Sequence, residues 1–322
     1  MGGARSFVGT DVGGTFTDIV FCTETGEVHC CKLPSTPARP GESILTGMDE
    51  VRAALAPDAA SWRAAEHTHS STVATNALIE RRGARVGMVT TAGFRDLFEL
   101  QRLAIPHPMR FDSRRPAPLV PRHLVREARG RIAADGAELE PLDEPGVAAA
   151  LRALAEAGAE IVVVAFLHSY RNPAHELRAR AVAAEQGIPL RLELSSEVWP
   201  QAREYERALL TAINASVRPI LDAYIGRLVE GLEARGLATP ARVARSNGGA
   251  ELAATLRERP VAALLSGPAA GVSGAAHAAA DAEWAAADLM TLDVGGTSAD
   301  IGVIRAGAAV LSSEEQVGDF PV

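Results

Sequence analysis

Two short segments carry the residue types that can hold a metal-bound phosphate. Residues 11–19 read D-V-G-G-T-F-T-D-I and residues 293–301 read D-V-G-G-T-S-A-D-I, so seven of nine positions agree. Adjacent glycines let the backbone approach a ligand and turn N–H groups toward it, and threonine adds a hydroxyl donor. An aspartate beside such a nest repels a bare phosphate, so charge balance calls for Mg2+ between carboxylate and phosphate, held largely through water. Two such turns can clamp the β- and γ-phosphates of ATP from opposite sides, with Asp11 and Asp293 on the metal. Phosphoryl transfer needs little beyond that positioning and charge stabilisation. One D-x-G-G-T alone is more often a plain β-turn; the repeat carries the reading. A dinucleotide site fits poorly, because neither copy reads G-x-G-x-x-G and an apolar strand-like segment follows each.

The elements that must position these turns repeat with them. Each copy lies between short apolar runs, and each is followed by a glycine turn (Gly26, Gly307) and a further apolar segment. That is the pattern of a β-meander, present twice, which predicts a duplicated domain. Between the copies the spacing predicts helices near 41–55, 72–82, 145–157 and 174–186 and buried strands at 85–91 and 161–168. From Ser195 the period is helical for some forty residues, with Ser195 or Ser196 as N-cap and Pro219 as a break or kink. A strand near 241–246 and a small-residue helix from Ser266 then open the second lobe. The Pro- and Arg-rich stretch 105–122 reads as a surface loop.

Composition narrows the class. The chain has 322 residues, 47% hydrophobic and 22% charged, with a net charge of −8. That size supports about two domains with real cores. The acidic balance, with no basic cluster, speaks against nucleic acid and anionic membranes as partners. Lys32 is the only lysine, which removes the G-K-[ST] phosphate loop and leaves Lys32 as the one possible Schiff base. Cys22, Cys30 and Cys31 form neither a disulfide framework nor a metal set, consistent with a reducing compartment. Residues 261–280 are too weakly apolar to span a bilayer, and residues 1–15 carry Asp11 where a signal peptide needs an apolar core.

The motifs between the turns match a known family. HSSTVATNALIERRGARVGMVTTAGFRDLFEL (69–100), AFLHSYRNPAHE (165–176), SSEVWPQAREYERALLTAINA (195–215), SNGGAE (246–251) and LLSGPAAGVSGA (264–275) resemble the hydantoinase A and 5-oxoprolinase family, which includes acetone carboxylase subunits. The resemblance implies an α/β, duplicated ribonuclease H-like (actin-like ATPase) fold, with the first lobe complete and the second partly present. It implies domains over 1–192 and 193–322, ATP and Mg2+ as cofactors, and a cytoplasmic oligomer with a hydantoinase B-like partner subunit. The implied reaction is ATP-dependent opening of a small cyclic amide; a sugar- or acid-kinase relative, or an inactive structural fragment, is the alternative. Carried over by position, Asp11, Gly13, Gly14, Thr15 and Thr17 form the first phosphate turn. Asp293, Gly295, Gly296, Thr297 and Ser298 form the second, and His69, Thr72 and Asn76 are the substrate candidates. Residues 266–272 resemble the helix that crosses between lobes.

This sequence departs from the family at three points. The usual H-G-T-T reads His69, Ser70, Ser71, Thr72 here, Ala299 stands where threonine is common, and family members run to about twice this length, which puts the adenosine-binding segment beyond Val322. Several polar residues have plain structural readings. His67 and His69 lack a third metal ligand, and Ser71 and Thr72 suit a helix cap. Glu204, Glu206 and Arg207 suit surface pairs, and His168 suits a core position. Asp18 and Asp300 are candidates for base or outer metal ligand.

Overall fold

The computed structural model describes residues 6–36, 38–55, 59–103, 105, 107–280, 282, 284–285, 287–295, 299–312 and 315–321. The chain divides into two compact units: residues 1–77 with 220–313, and residues 78–219 with 314–322. This division differs from the 192/193 boundary expected from sequence, since each unit draws on both segments.

The first unit opens with β1 (Phe7–Val12), β2 (Phe16–Cys22) and β3 (Val28–Pro34), then α1 (Glu42–Leu55), α2 (Ala59–Ala64), β4 (Glu66–Ser71) and α3 (Val73–Ile79). In β1, Val8, Thr10 and Val12 are buried, and Thr17, Ile19 and Phe21 continue the same face in β2. Period-two alternation therefore directs Asp11 and Asp18 to the opposite face.

The second unit begins with β5 (Val86–Thr91), α4 (Leu97–Leu100), β6 (Val125–Ala128) and the hairpin β7 (Arg131–Ile132) and β8 (Glu138–Glu140). It continues through α5 (Glu144–Glu156), β9 (Ile161–Ala165), α6 (Ala174–Glu185), β10 (Arg191–Leu194) and α7 (Ser195–Val198). Its four-stranded sheet runs β10-β9-β5-β6, with every pair parallel. Central β9, I-V-V-V-A, is buried at every position, as a parallel strand covered on both faces requires. Asp143 caps α5, accepting from the Gly146 N–H at 3.0 Å. β9 ends at Ala165, three residues short of the expected strand, and His168 adopts a left-handed φ of 57°.

α8 (Glu204–Ala234) is a single helix of 31 residues with Pro219 inside it, so of the expected break or kink the helix is not broken. In the turn before the proline the Ser216 carbonyl accepts from the Ala84 N–H at 2.8 Å. The first unit then resumes with β11 (Arg242–Ala244), β12 (Ala250–Leu252), α9 (Ala253–Leu256), α10 (Ser266–Ala280), β13 (Leu289–Val294), β14 (Ala299–Arg305) and β15 (Ala308–Ala309).

The main sheet of the first unit has the order β12-β11-β4-β1-β2-β3. An antiparallel meander is extended by β4 and β11, parallel to β1 and to each other. This is the expected ribonuclease H-like arrangement. The strand expected to open a second lobe, β11, instead completes this first sheet beside β4. β13, β14 and β15 form a separate antiparallel sheet, the second copy of the meander, against which α10 packs. Among the described residues no helix is long and apolar enough to cross a membrane.

Candidate functional site: the Asp11 turn

The pairing register assembles the site. On one face of four neighbouring strands, Asp11 lies opposite Ser70 on β4 and Asp18 on β2, and Asp18 lies opposite Lys32 on β3. The row therefore reads Ser70, Asp11, Asp18, Lys32. The Ser70 hydroxyl donates to Asp11 Oδ1 at 2.5 Å, and the Lys32 ammonium meets both Asp18 oxygens at 2.8 and 2.9 Å. The start of α10 lies beside the row: a side chain on Gly267 would stand 3.4 Å from Asp11 Oδ1. Ser266 fixes that helix end, its hydroxyl donating to the Ser71 carbonyl at 3.2 Å and accepting from the Ser71 N–H at 3.4 Å.

Burial raises the Asp11 carboxyl above the ordinary carboxylate range. The Ser70 hydrogen bond opposes this, the charges of Asp18 and Asp293 add to it, and Lys32 pulls the other way. Asp293 thus lies close enough to be felt electrostatically at Asp11, within the same compact unit.

The turn is braced from below. The Gly13 N–H donates to the Phe16 carbonyl at 2.9 Å, and a Cβ on Gly13 would stand 3.1 Å from that oxygen. The Ser35 N–H donates to the Thr15 carbonyl and its hydroxyl to the Gly13 carbonyl, both at 2.8 Å. Gly14 and Thr15 remain exposed at the tip. Gly13 therefore builds the turn, its amide engaged, and does not present that N–H to a ligand. Thr17 is fully buried, its hydroxyl bonded to Ser43 at 2.7 Å and Ser35 at 3.0 Å, on the face away from Asp11.

The same holds for the substrate candidates. His69 is fully buried, with Nδ1 2.9 Å from the Thr10 hydroxyl and Nε2 2.6 Å from that of Tyr224. Both ring nitrogens are engaged inside the core. Thr10 also bonds His67 Nε2 at 3.1 Å. Burial pushes His67 down to about 4 and His69 to about 3, and pushes the Tyr224 phenol up, so all three stay uncharged. Thr72, just before α3, donates to the Val12 carbonyl at 3.2 Å and accepts from Asn76 Nδ2 at 3.2 Å. Among the described residues no group of three or more His, Cys, Asp or Glu could hold a metal.

The second turn repeats the first in register. Asp293 pairs with Asp300 across β13 and β14 as Asp11 pairs with Asp18, and Val294 with Ala299 as Val12 with Thr17. Asp293 and Gly295 are exposed. Gly296, Thr297 and Ser298 lie outside the described residues.

In the second unit Arg207 departs from its expected surface pairing. It is 1% exposed, and its guanidinium reaches Ser195 Oγ at 3.0 Å and the carbonyls of Gln201 and Phe166 at 3.1 and 2.8 Å. Ser195, expected as an N-cap, is the first residue of α7 and donates to Glu176 at 2.6 Å. Sequence reasoning missed Ser70, Lys32, Tyr224 and Ser266 around Asp11. The usable signal for the first two was strand register, which places residues opposite one another whatever their separation in the chain.

Comparison with known proteins places the chain in a family. The family model for the hydantoinase/oxoprolinase N-terminal region matches residues 7–187, and that for hydantoinase/oxoprolinase matches 207–322. Caprolactamase subunit alpha of Pseudomonas jessenii is 36% identical over 311 residues, 95% of this chain and 44% of the relative. The crystal structure of the ATP-dependent caprolactamase from that organism aligns with a TM-score of 0.82 at 36% identity, covering 92% of this chain and 43% of that one. Nucleotide-free acetone carboxylase aligns with a TM-score of 0.88 at 24% identity over 98% of this chain and 46% of that one, a likeness of fold. The chain spans less than half the length of these relatives. It belongs to the hydantoinase/oxoprolinase family.

Proposed function

We propose that the protein binds magnesium-bound ATP between its two aspartate turns and serves an ATP-dependent amidohydrolase that opens a cyclic amide of the hydantoin or 5-oxoproline type. In this reading it works in the cytoplasm, in an oligomer with a hydantoinase B-like partner subunit. The observation that carries the reading is the half-buried Asp11 on its polar row, repeated in register by Asp293.

The donor set suits the ion. A carboxylate drawn out of water beside two like charges is held ionised by a cation, and one or two carboxylates completed by water and phosphate oxygens is the set that Mg2+ takes. Asp11 and Asp293 would hold it, and the ion supplies charge neutralisation on the β- and γ-phosphates. The exposed Gly14 and Thr15 present the first turn to the phosphates, while Ser70 fixes the carboxyl that faces them. Gly296 and Thr297, the counterparts of Gly14 and Thr15 in the repeat, take the matching role in the second turn, between Gly295 and Ser298. The chemistry ATP brings is transfer of its γ-phosphoryl group to the amide carbonyl oxygen, which prepares the ring carbon for water.

The test measures ADP release and ring-opened product from 5-oxoproline, hydantoin and caprolactam with ATP and Mg2+, in the presence of the partner subunit. Asp11→Asn is expected to lower both by about 100-fold or more while leaving the fold intact. ADP release that the substitution leaves unchanged refutes the assignment. A phosphorylated product that persists would instead make the protein a phosphotransferase.

A further inference from the structure

The polar row around Asp11 contains one residue that the phosphate reading leaves without a role. Lys32 is the only lysine among the 322 residues, the other basic positions being arginine. It occupies the end of the row that starts at Ser70 and passes through Asp11 and Asp18. Its ammonium is held from two sides, by the Asp18 carboxylate at 2.8 and 2.9 Å and by the face of the Phe16 ring with its centroid 5.2 Å away. Phe16 is the residue whose carbonyl closes the Asp11 turn. The lysine side chain is 57% exposed, and an ammonium has three donors, of which two point at Asp18.

The electrostatics of the site call for such a group. Of the charges felt most strongly at Asp11, two are anions, Asp18 and Asp293, and Lys32 is the cation. A magnesium-bound triphosphate still carries net negative charge, and at this turn it would sit among three carboxylates. A compact ammonium on a flexible stem can follow a phosphate oxygen as a point charge, where a guanidinium imposes a planar fork.

We infer that Lys32 is a phosphate-contacting residue: when a magnesium-bound triphosphate occupies the Asp11 turn, the ammonium swings from Asp18 to a phosphate oxygen. Asp18 acts as its parking partner, keeping it beside the turn in the empty protein. The inference rests on the reading of the Asp11 turn as a phosphate site.

The test is amine labelling. The protein is treated with trinitrobenzenesulfonate, and modification at Lys32 is followed by peptide mass spectrometry, with and without saturating ATP and Mg2+; Mg2+ alone is the control. Nucleotide is expected to slow labelling of Lys32 by about tenfold or more, as a charge-assisted contact would. In parallel, calorimetry is expected to show about tenfold weaker binding of magnesium-bound ATP for Lys32→Gln, with Lys32→Arg, which keeps the charge but not the point-like donor, falling between. Calorimetric binding with an unchanged labelling rate overturns the role of Lys32 and leaves the phosphate turn standing. No calorimetric binding by the unsubstituted protein overturns both.

Discussion

Arg207 offers the sharpest test of how the second unit holds together. Its guanidinium donates to Ser195 Oγ and to the carbonyls of Gln201 and Phe166, with Glu204 Oε1 at 3.4 Å. Across Ser195 sits Glu176, fully buried, accepting from the Ser195 hydroxyl at 2.6 Å and from the Phe166 and Ser196 N–H groups at 3.1 and 2.8 Å. Ser195 thus joins a buried cation to a buried anion. Arg207→Met keeps much of the stem volume but removes the charge, leaving the Gln201 carbonyl without this donor, the Phe166 carbonyl with only the Ser169 N–H at 3.4 Å, and Glu176 without the cation that Ser195 links to it. Removing one partner of a buried charge pair costs about 3–5 kcal/mol, and an orphaned buried acceptor about 1–3 kcal/mol, terms that overlap here; the expected loss is about 4 kcal/mol. At a urea dependence of about 2 kcal/mol per molar, the midpoint should fall by about 2 M. Trp199, exposed just beyond α7, reports this unit by fluorescence once Trp62 and Trp284, which lie in the other one, are replaced by Phe. Arg207→Lys, which keeps charge but loses the fork, should fall between. A midpoint within about 0.3 M of the parent would show that the guanidinium is an exposed pair after all, and the account of this core would be wrong.

The buried His67 and His69 predict a pH dependence. Well above pH 6.5 both are neutral whether folded or unfolded and contribute no pH dependence. As the pH falls below 6.5 the unfolded chain takes up protons that the folded one refuses until about 4 for His67 and 3 for His69, so stability falls. Between pH 6.5 and 5.5 the pair should cost about 2 kcal/mol, read as a lower urea midpoint of the first unit. The ring C–H resonances should show no titration step near 6.5, and such a step would contradict the buried seam. Gly302 is a packing prediction: its substitution by Ala would place Cβ 2.2 Å from Val272 Cγ2 on α10 and 2.5 Å from Thr291 Oγ1 on β13. Gly302→Ala should destabilise the second meander by about 1–3 kcal/mol, seen as faster amide exchange in β13 and β14 with β1 and β2 unchanged.

The first meander and its copy were legible because they rest on local signals: period-two alternation, glycine turns and a repeated nonapeptide. Helices at 42–55, 144–156 and 174–185 followed from their period and caps for the same reason. What the sequence hid was long-range. β11 joins the first sheet beside β4, across the whole of the second unit, and no local pattern states which edge a three-residue strand will choose. Thr17 and His69 look like ligands by motif position, yet they fall on the buried face of their strands, where a hydroxyl or an imidazole survives by bonding Ser43, Thr10 or Tyr224. Arg207 was misread because i,i+3 spacing describes one helix face without showing what covers it.

Strand parity would have sorted the site before any coordinates. Once Val8, Thr10 and Val12 are taken as the core face of β1, Asp11 must face the other way, and pairing through a tight turn puts Asp18 beside it. Continuing through the second turn places Lys32 next to Asp18. Thr17 then belongs to the core face by the same parity, and a hydroxyl there can support the turn only from behind. Motif position names the residues near a ligand; the two-residue period decides which of them can reach it.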